Sequence, residues 1–306
     1  MSSSSLVTSA LTTESWFIPI DIIMLLCTIL TIILAIIFLF IVILDKACHT
    51  VSMMLISNSC ISILVFTCVL LSMCIFTLEN DFKQIIHQDS LCLIRAYFGY
   101  VAVGTLYFSF LIQALYRFIV VIYPTRLFWQ STKFQFLMIF LTWMIGFIYP
   151  TVFTLSGIVA YNSDNQLCQI PIRPSFFIVY SCSCIYFISV TIIMFVYFKL
   201  LRYVHAMKNH VIPVNTLIRA QKELKMTKRI VILIATLLTL GFPYALFILM
   251  SFFTSPPKYS YRIAFLFVDT SLVAAMLILF QFTDPVKSYI IKIMKQRSNT
   301  VIATMT

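Results

Sequence analysis

The chain has 306 residues, of which 61% are hydrophobic and only 10% are charged, and its formal net charge is +11. A water-soluble domain carries roughly 25% charged residues, so this composition excludes an ordinary soluble protein. The sequence has 5 glycines and lacks the alternating segments of a β-barrel, which leaves helices to satisfy the backbone in lipid. We attribute the positive charge to membrane topology and expect no nucleic-acid partner.

Seven apolar stretches are long enough to cross a lipid bilayer, which takes about 20 residues of helix. They predict an all-α fold, a seven-transmembrane helix bundle that occupies residues 17–283. The predicted spans cover about 17–44, 51–78, 91–123, 134–158, 175–203, 229–253 and 260–282. Residues 1–16 lack the basic start of a cleaved signal peptide and are expected to form an N-terminal tail.

Residues 284–306 follow the last span and open on Asp284–Pro285. Apolar Val286, Tyr289 and Ile293 recur at helical spacing, with Lys287 and Lys292 interspersed among them. This pattern predicts a short amphipathic eighth helix on the membrane surface, followed by a tail.

Most of the 21 Lys and Arg residues fall in the loops after the first, third and fifth spans and in the C-terminal tail. Positive charge concentrates on the cytoplasmic side of membrane proteins. We therefore predict a multi-pass plasma-membrane protein with an extracellular N-terminus and a cytoplasmic C-terminus.

Two cysteines are expected at the same outer face of the bundle. Cys92 and Arg117 lie on one helix, about 37 Å apart at ~1.5 Å per residue, which exceeds the ~30 Å hydrocarbon core. Cys92 then belongs at the outer rim, where the loop that carries Cys168 also lies and where disulfides persist. We expect a Cys92–Cys168 bridge; the alternative is two unpaired cysteines at the rim.

The third span ends in the triplet Tyr116-Arg117-Phe118, which Ile122-Tyr123-Pro124 follows. With seven helices and the two cysteines, this arrangement resembles a rhodopsin-like (class A) G-protein-coupled receptor over about residues 17–296. Further matches to the family pattern, in order along the chain, are Asn58, Trp143, Tyr197, Glu223 and Pro243.

The resemblance implies an activation switch at the cytoplasmic end. Arg117 would pair with Glu223 in the inactive state, and Pro243 would let the inner half of the sixth helix swing outward. The implied partners are a heterotrimeric G protein and, through phosphorylated tail residues, arrestin. Residues implied in switching and G-protein coupling are Arg117, Tyr116, Glu223, Tyr197, Pro243, Lys225, Lys228 and Arg229. The alternative for Arg117 is an arginine that only anchors its helix at the membrane rim.

Several positions depart from the family pattern. The family's acid before the arginine is Tyr116 here, and its sodium-binding aspartate falls on Ile63. The fifth-helix proline falls on Ser189 and the sixth-helix tryptophan on Gly241. The asparagine–proline–tyrosine motif of the seventh helix is not intact. Arg117 would therefore be restrained by Glu223 without an adjacent acid.

The resemblance also implies an outer ligand pocket between the third, fifth, sixth and seventh helices. Candidate residues are Arg95, Gly99, Tyr100, Val103, Phe242, Tyr244, Phe247 and Asp269. The aspartate with which amine receptors bind an ammonium group falls on Gly99, which disfavours a monoamine and leaves a peptide, a lipid or a small chemosensory ligand open, with a peptide or chemosensory molecule favoured. For Asp269, an internal partner such as Arg95 or Tyr100 is the competing explanation.

Other functional classes are less consistent with the sequence. It contains no HExxH, GxSxG or P-loop motif, so we expect no enzyme, cofactor or metal site. A transporter or channel is the main rival, although transporters usually contain repeated halves and broken midplane helices. A seven-helix protein that does not signal is the third hypothesis, because several switch residues are replaced.

Overall fold

The computed structural model describes residues 16–84, 90–208 and 214–292. Six helices in these ranges are long and apolar enough to cross a membrane, and a bent pair of helices supplies a seventh span. The predicted all-α bundle of seven spans is therefore confirmed. Most of the predicted N-terminal tail lies outside the described residues.

The first three spans are continuous helices. Their bounds are Phe17–Leu44, Val51–Lys83 and Cys92–Ile122. The second span is longer than predicted, because its last turns contain Glu79 and Asp81 and so fall below the hydropathy expected of a lipid-embedded helix. A 3-10 turn and the side chain of Thr50, which accepts a hydrogen bond from the Met53 amide, form the connection before it.

The fourth and fifth spans are helices with local irregularities. The fourth consists of Thr132–Ile148 and Thr151–Leu155, and the fifth of Phe176–Cys182, a π-helical turn Ser183–Phe187 and Ile188–Lys208. Pro150 interrupts the fourth span because it lacks an N–H group. The π turn ends two residues before Ser189, so the fifth span is irregular near this position although it has no proline there.

The sixth span consists of Val214–Leu240 and Phe242–Met250, with a bend of 48° between Ala220–Leu240 and the second segment. Gly241 lies at the break, and Pro243, the second residue of the second segment, cannot donate a helical hydrogen bond. The fifth span reaches Lys208 instead of ending at about 203, and the sixth begins at Val214 instead of about 229, so the loop between them is shorter than expected. Residues 209–213 of that loop lie outside the described residues.

The seventh span is Ser260–Phe282, as predicted. After Thr283 the chain is helical again over residues 284–292, which confirms the eighth helix. Val286 is fully buried, whereas Lys287 and Lys292 are exposed, in agreement with the amphipathic pattern. The remaining tail, 293–306, lies outside the described residues.

The third span occupies the centre of the bundle. It packs against the second, fourth, fifth and sixth spans, while the first span packs against the second and seventh. Ala102, Leu106, Phe110 and Ala114 are all buried along it. Many large apolar side chains of the outer spans are exposed instead, as expected for surfaces that face lipid tails.

A short hairpin covers one end of the bundle. Strand β1 (Ala160–Asn162) pairs antiparallel with strand β2 (Leu167–Gln169). A disulfide joins Cys168 of β2 to Cys92 at the start of the third span, with a Cα–Cα distance of 5.4 Å. The predicted bridge is confirmed. We call this the disulfide end; the opposite end, near Arg117, is the arginine end.

Two glycines allow the third and fourth spans to approach closely. A Cβ atom on Gly104 would lie 2.5 Å from Cε1 of Tyr149. A Cβ atom on Gly146 would collide with the methyl group of Thr105. Small residues at such crossings let helix backbones pack tightly in membranes, where no hydrophobic force drives helices together.

We predict that Gly104→Ala lowers the stability of the detergent-solubilised protein, whereas Gly99→Ala on the same helix does not. The added methyl group at position 104 overpacks against Tyr149, at a cost of about 1–3 kcal/mol. At position 99 the nearest atoms would be 3.8 Å away, so the helix-forming preference of alanine should dominate. The thermal unfolding midpoint measures the stability of each variant. Equal midpoints for Gly104→Ala and Gly99→Ala would contradict the close approach of the third and fourth spans at Gly104.

Candidate functional site

A cavity of about 430 Å³ lies beneath the hairpin at the disulfide end. Residues from the second, third, fifth, sixth and seventh spans line it, and most of them are apolar. Of the predicted pocket residues, Gly99, Tyr100, Val103 and Tyr244 line this cavity. Gly241, at the break of the sixth span, lines it as well.

Four predicted pocket residues do not line the cavity. The guanidinium of Arg95 lies over the ring of Phe76 on the second span, 5.0 Å from its centroid. Phe242 is 55% exposed on the outer surface, and Phe247 packs within the core. Asp269 faces the first and second spans, where it lines a different and smaller cavity. For Phe242 and Phe247, which lie beyond the bend of the sixth span, sequence spacing alone could not assign the helix face.

Hydrogen bonds hold the segment after β2 over the large cavity. The hydroxyl of Tyr100 donates to Oε1 of Gln169 at 2.7 Å and accepts from the amide of Ile170 at 3.2 Å. The hydroxyl of Tyr261 donates to the carbonyl of Ile170 at 2.6 Å. The third and seventh spans therefore both fix this segment as a roof.

A buried ion cluster lies beside the hairpin, which we call the Arg262 cluster: Arg262, Asp81 and Asp21. The guanidinium donates to both carboxylate oxygens of Asp81, at 2.5 and 3.1 Å, and to those of Asp21, at 3.3 and 3.4 Å. The arginine side chain is 1% exposed and both carboxylates are fully buried. The ring of Phe17 covers the guanidinium at 4.2 Å.

The turn of the hairpin is tied to this cluster. The amide of Gln166 donates to Oδ1 of Asp81 at 2.7 Å, and Oδ1 of Asn165 accepts from the backbone N–H of Arg262 at 3.3 Å. At the surface, the Asp164 carboxylate 3.4 Å away raises the pKa of Lys258. The first, second and seventh spans and the hairpin thus meet at one set of charges.

Asp269 lies two turns beyond Arg262 on the seventh span and is 3% exposed. It lines a cavity of about 20 Å³ together with Asp21 and Arg262, which is room for roughly one water molecule. Its Oδ1 atom has no hydrogen-bond partner among the described residues. The alternative partner suggested by the sequence, Tyr100, is engaged by Gln169 instead.

At the arginine end, Arg117 and Glu223 form an ion pair between the third and sixth spans. Nη1 of Arg117 donates to Oε2 of Glu223 at 3.2 Å. The arginine side chain is 4% exposed and the glutamate side chain 15%. The two residues that the sequence analysis paired are therefore in contact, in a largely dry site. Tyr116, beside the arginine, is half-buried.

The other residues assigned to the switch separate into two groups. Lys225 and Lys228 are exposed on the sixth span, and Tyr197 is half-buried on the fifth. Arg229 instead pairs with Asp284 at 3.1 Å and also donates to the carbonyl of Phe282. It therefore connects the sixth span to the start of the eighth helix and is not a free surface cation.

The comparisons with known proteins agree with this architecture. The model of the "7 transmembrane receptor (rhodopsin family)" matches residues 18–282. The chain belongs to the rhodopsin family. The crystal structure of squid rhodopsin superposes with a TM-score of 0.71 over 90% of this chain and 85% of that chain, at 19% identity, which supports the fold alone. A search of curated proteins found no match.

This member of the rhodopsin family has a polar network between its second, third and fourth spans. The indole of Trp143 donates to Oδ1 of Asn58 at 2.9 Å, which joins two residues that match the family pattern. Gln113 donates to Oγ of Ser59 at 2.6 Å, and Ser59 is 2.6 Å from Ser109. Ile63, at the family's sodium-binding position, is fully buried and apolar.

Sequence reasoning did not find the Arg262 cluster. One signal was available: Asp21 lies inside an almost wholly apolar helix, and such an acid requires a buried partner. Its partner could not be named, because Arg262 follows it by 241 residues. Only the adjacency of the first and seventh spans in this receptor brings the two together.

We predict that Arg262→Gln destabilises the receptor strongly, by about 3–5 kcal/mol, since it leaves two buried carboxylates without a cation. Adding Asp81→Asn to that variant should restore part of the stability, because it removes one of the unpaired charges. Thermal unfolding of purified single and double variants measures the coupling. If the stability lost in the double variant equals the sum of the losses in Arg262→Gln alone and Asp81→Asn alone, the contacts do not act as one cluster.

Proposed function

We propose that this rhodopsin-family protein is a receptor that transmits an extracellular ligand signal to a heterotrimeric G protein at the plasma membrane. The observation that supports this best is the Arg117–Glu223 pair, which holds the third and sixth spans together at the end opposite the large cavity. An interaction present in only one of two conformations sets the balance between them.

The bend of the sixth span lies between the cavity and this ion pair. Leu237, Gly241 and Tyr244 on either side of the bend line the cavity, so a ligand there would contact both segments. Motion of the inner segment about Gly241 would separate Glu223 from Arg117. The same movement of the sixth helix would then respond to the ligand and open the ion pair. In this way a ligand in the cavity would change a contact at the opposite end of the bundle.

Opening at the arginine end would create the G-protein surface. Arg117, Tyr197 and the exposed Lys225 and Lys228 border this region and would meet the G protein. Arg229 has a different role in this proposal, because its pairing with Asp284 keeps the eighth helix in place. Phosphorylation of the C-terminal tail, with arrestin as the partner, remains a proposal from the sequence.

The proposed topology places the N-terminus and the disulfide end outside the cell and the arginine end in the cytoplasm. The charge distribution along the sequence supports this orientation. Within it, the cavity would open toward extracellular ligands, and the disulfide would lie in the oxidising compartment that preserves it.

We predict that Glu223→Ala raises basal second-messenger output in cells by a few-fold. Loss of the pair removes an inactive-state restraint, and ~1 kcal/mol changes a two-state ratio about fivefold. Glu223→Gln should have a smaller effect, since its amide oxygen can still accept a hydrogen bond from Arg117. Output is normalised to receptor at the cell surface.

Glu79→Ala is the matched control, since Glu79 is an acid at the disulfide end whose side chain is 56% exposed. It should leave basal output unchanged. Unchanged output in a well-expressed Glu223→Ala variant would contradict the restraint. Absence of any G-protein response in all variants would favour the non-signalling alternative, and ion flux in liposomes would favour a channel.

We also predict that Glu223→Ala raises basal second-messenger output less when it is combined with Pro243→Ala than when it is present alone. Alanine restores an N–H group for a helical hydrogen bond, which should stiffen the bend about which the inner segment moves. Basal output of the double variant is compared with that of Glu223→Ala alone. Equal output in the two would mean that the bend is a static packing feature.

A further inference from the structure

The large cavity contains no charged lining residue in the part of the chain that the structure describes. Its polar lining groups are all uncharged: Tyr100, Tyr107, Gln169, Ser181, Tyr186, Tyr244 and Ser271. The remaining lining residues are apolar or nearly so, with aliphatic side chains of the third, fifth, sixth and seventh spans predominating.

The charged side chains near the large cavity at the disulfide end contact other parts of the protein and do not line this cavity. Arg95 lies over Phe76, and Arg262 is held by two carboxylates away from the cavity wall. Asp269 lines the small cavity, which adjoins the large one through Leu70, Met73 and Phe265, and is not among the lining residues of the large cavity. A charged ligand in the large cavity would thus lose its hydration without gaining a counter-ion, which is strongly unfavourable.

Donor groups remain available in the cavity wall, among them those of Tyr107, Tyr186 and Gln169. The rings of Tyr107 and Tyr186 pack edge to face at 4.9 Å, and neither hydroxyl has a hydrogen-bond partner among the described residues. Gln169 accepts a hydrogen bond at Oε1 from Tyr100, and its Nε2 group makes none within the described part of the chain. A ligand with acceptor oxygen or nitrogen atoms would satisfy these groups.

The size and roof of the cavity also restrict the ligand. Its volume of about 430 Å³ is near the lower end of the ~300–1,000 Å³ that is usual for small-molecule sites. The three residues of β2 are buried above it, and hydrogen bonds from Tyr100 and Tyr261 fix the following residue, Ile170. A folded or extended peptide would have to displace this roof.

We infer that the ligand is a neutral, largely apolar small molecule that carries hydrogen-bond acceptors, and that it is not an amine, a carboxylate or a peptide. This inference rests on the proposed function, in which the large cavity is the ligand site. Of the ligand classes that the sequence left open, it excludes the peptide. Tyr107 and Tyr186 set the orientation of the ligand, and the apolar wall supplies most of the affinity.

Cys182 offers a direct test, because this free cysteine lines the cavity. Purified receptor is treated with three methanethiosulfonates of similar size: a neutral benzyl, a cationic trimethylammonioethyl and an anionic sulfonatoethyl reagent. The Cys182 thiolate attacks the sulfenyl sulfur, a mixed disulfide forms and methanesulfinate leaves. Peptide mass spectrometry gives the modification rate at Cys182, with Cys182→Ser as the blank.

We expect the neutral reagent to modify Cys182 at least about tenfold faster than either charged reagent, which corresponds to ~1.4 kcal/mol of discrimination. Gly99→Leu should slow this reaction because it fills the cavity, while the exposed Cys68 reacts as before. Gly99→Asp should accelerate the cationic reagent at Cys182, since a carboxylate would then face the cavity.

Charged reagents that match the neutral one in the unmodified receptor would overturn the inference, as would no reaction of Cys182 with any of the three. An unchanged rate of Cys182 modification by the cationic reagent in Gly99→Asp would likewise overturn the inference that the lack of lining charge excludes charged ligands from the cavity. These measurements need no signalling. The ligand class and the proposed G-protein coupling can therefore fail separately.

Discussion

Charge inside a bilayer has to be paired within the protein, and this constraint explains how the bundle is held together. Arg262 joins the first, second and seventh spans, Arg117 joins the third and sixth, and Arg229 joins the sixth span to the eighth helix. Each of these arginines meets an acid from a different segment. Because lipid tails do not drive helices together as water does, such polar contacts and close packing determine which spans are neighbours.

The two strongest ties lie at opposite ends and differ in their chemistry. The Arg262 cluster has two fully buried acids and additional hydrogen bonds from the hairpin, so its opening would expose several unpaired groups at once. The Arg117–Glu223 pair has one hydrogen bond and a partly exposed glutamate. The disulfide end is thus joined by more contacts than the arginine end, and the bend of the sixth span lies between the two ends.

The sequence predicted those features that depend on local composition or on the family resemblance. The first and seventh spans were predicted at their observed bounds because both are uninterrupted apolar runs. The Cys92–Cys168 bridge followed from helix length and topology, and the Arg117–Glu223 contact from the resemblance. The fifth and sixth helices were predicted too short, since their inner turns are polar and hydropathy detects only the lipid-facing part of a helix. Features that depend on packing were missed: the Arg262 cluster, the π turn before Ser189, and the direction in which Asp269 points.

The Arg262 cluster also constrains the order in which the molecule can be completed. Ribosomes make the chain from its N-terminus, so Asp21 and Asp81 enter the membrane before Arg262 exists; the arginine follows Asp81 by 181 residues. Until the last span is inserted, both acids lack the cation that compensates them in the finished fold. The seventh span therefore completes the packing of the bundle and also supplies the cation that its buried acids need. A chain truncated before this span would retain Asp21 and Asp81 without that cation.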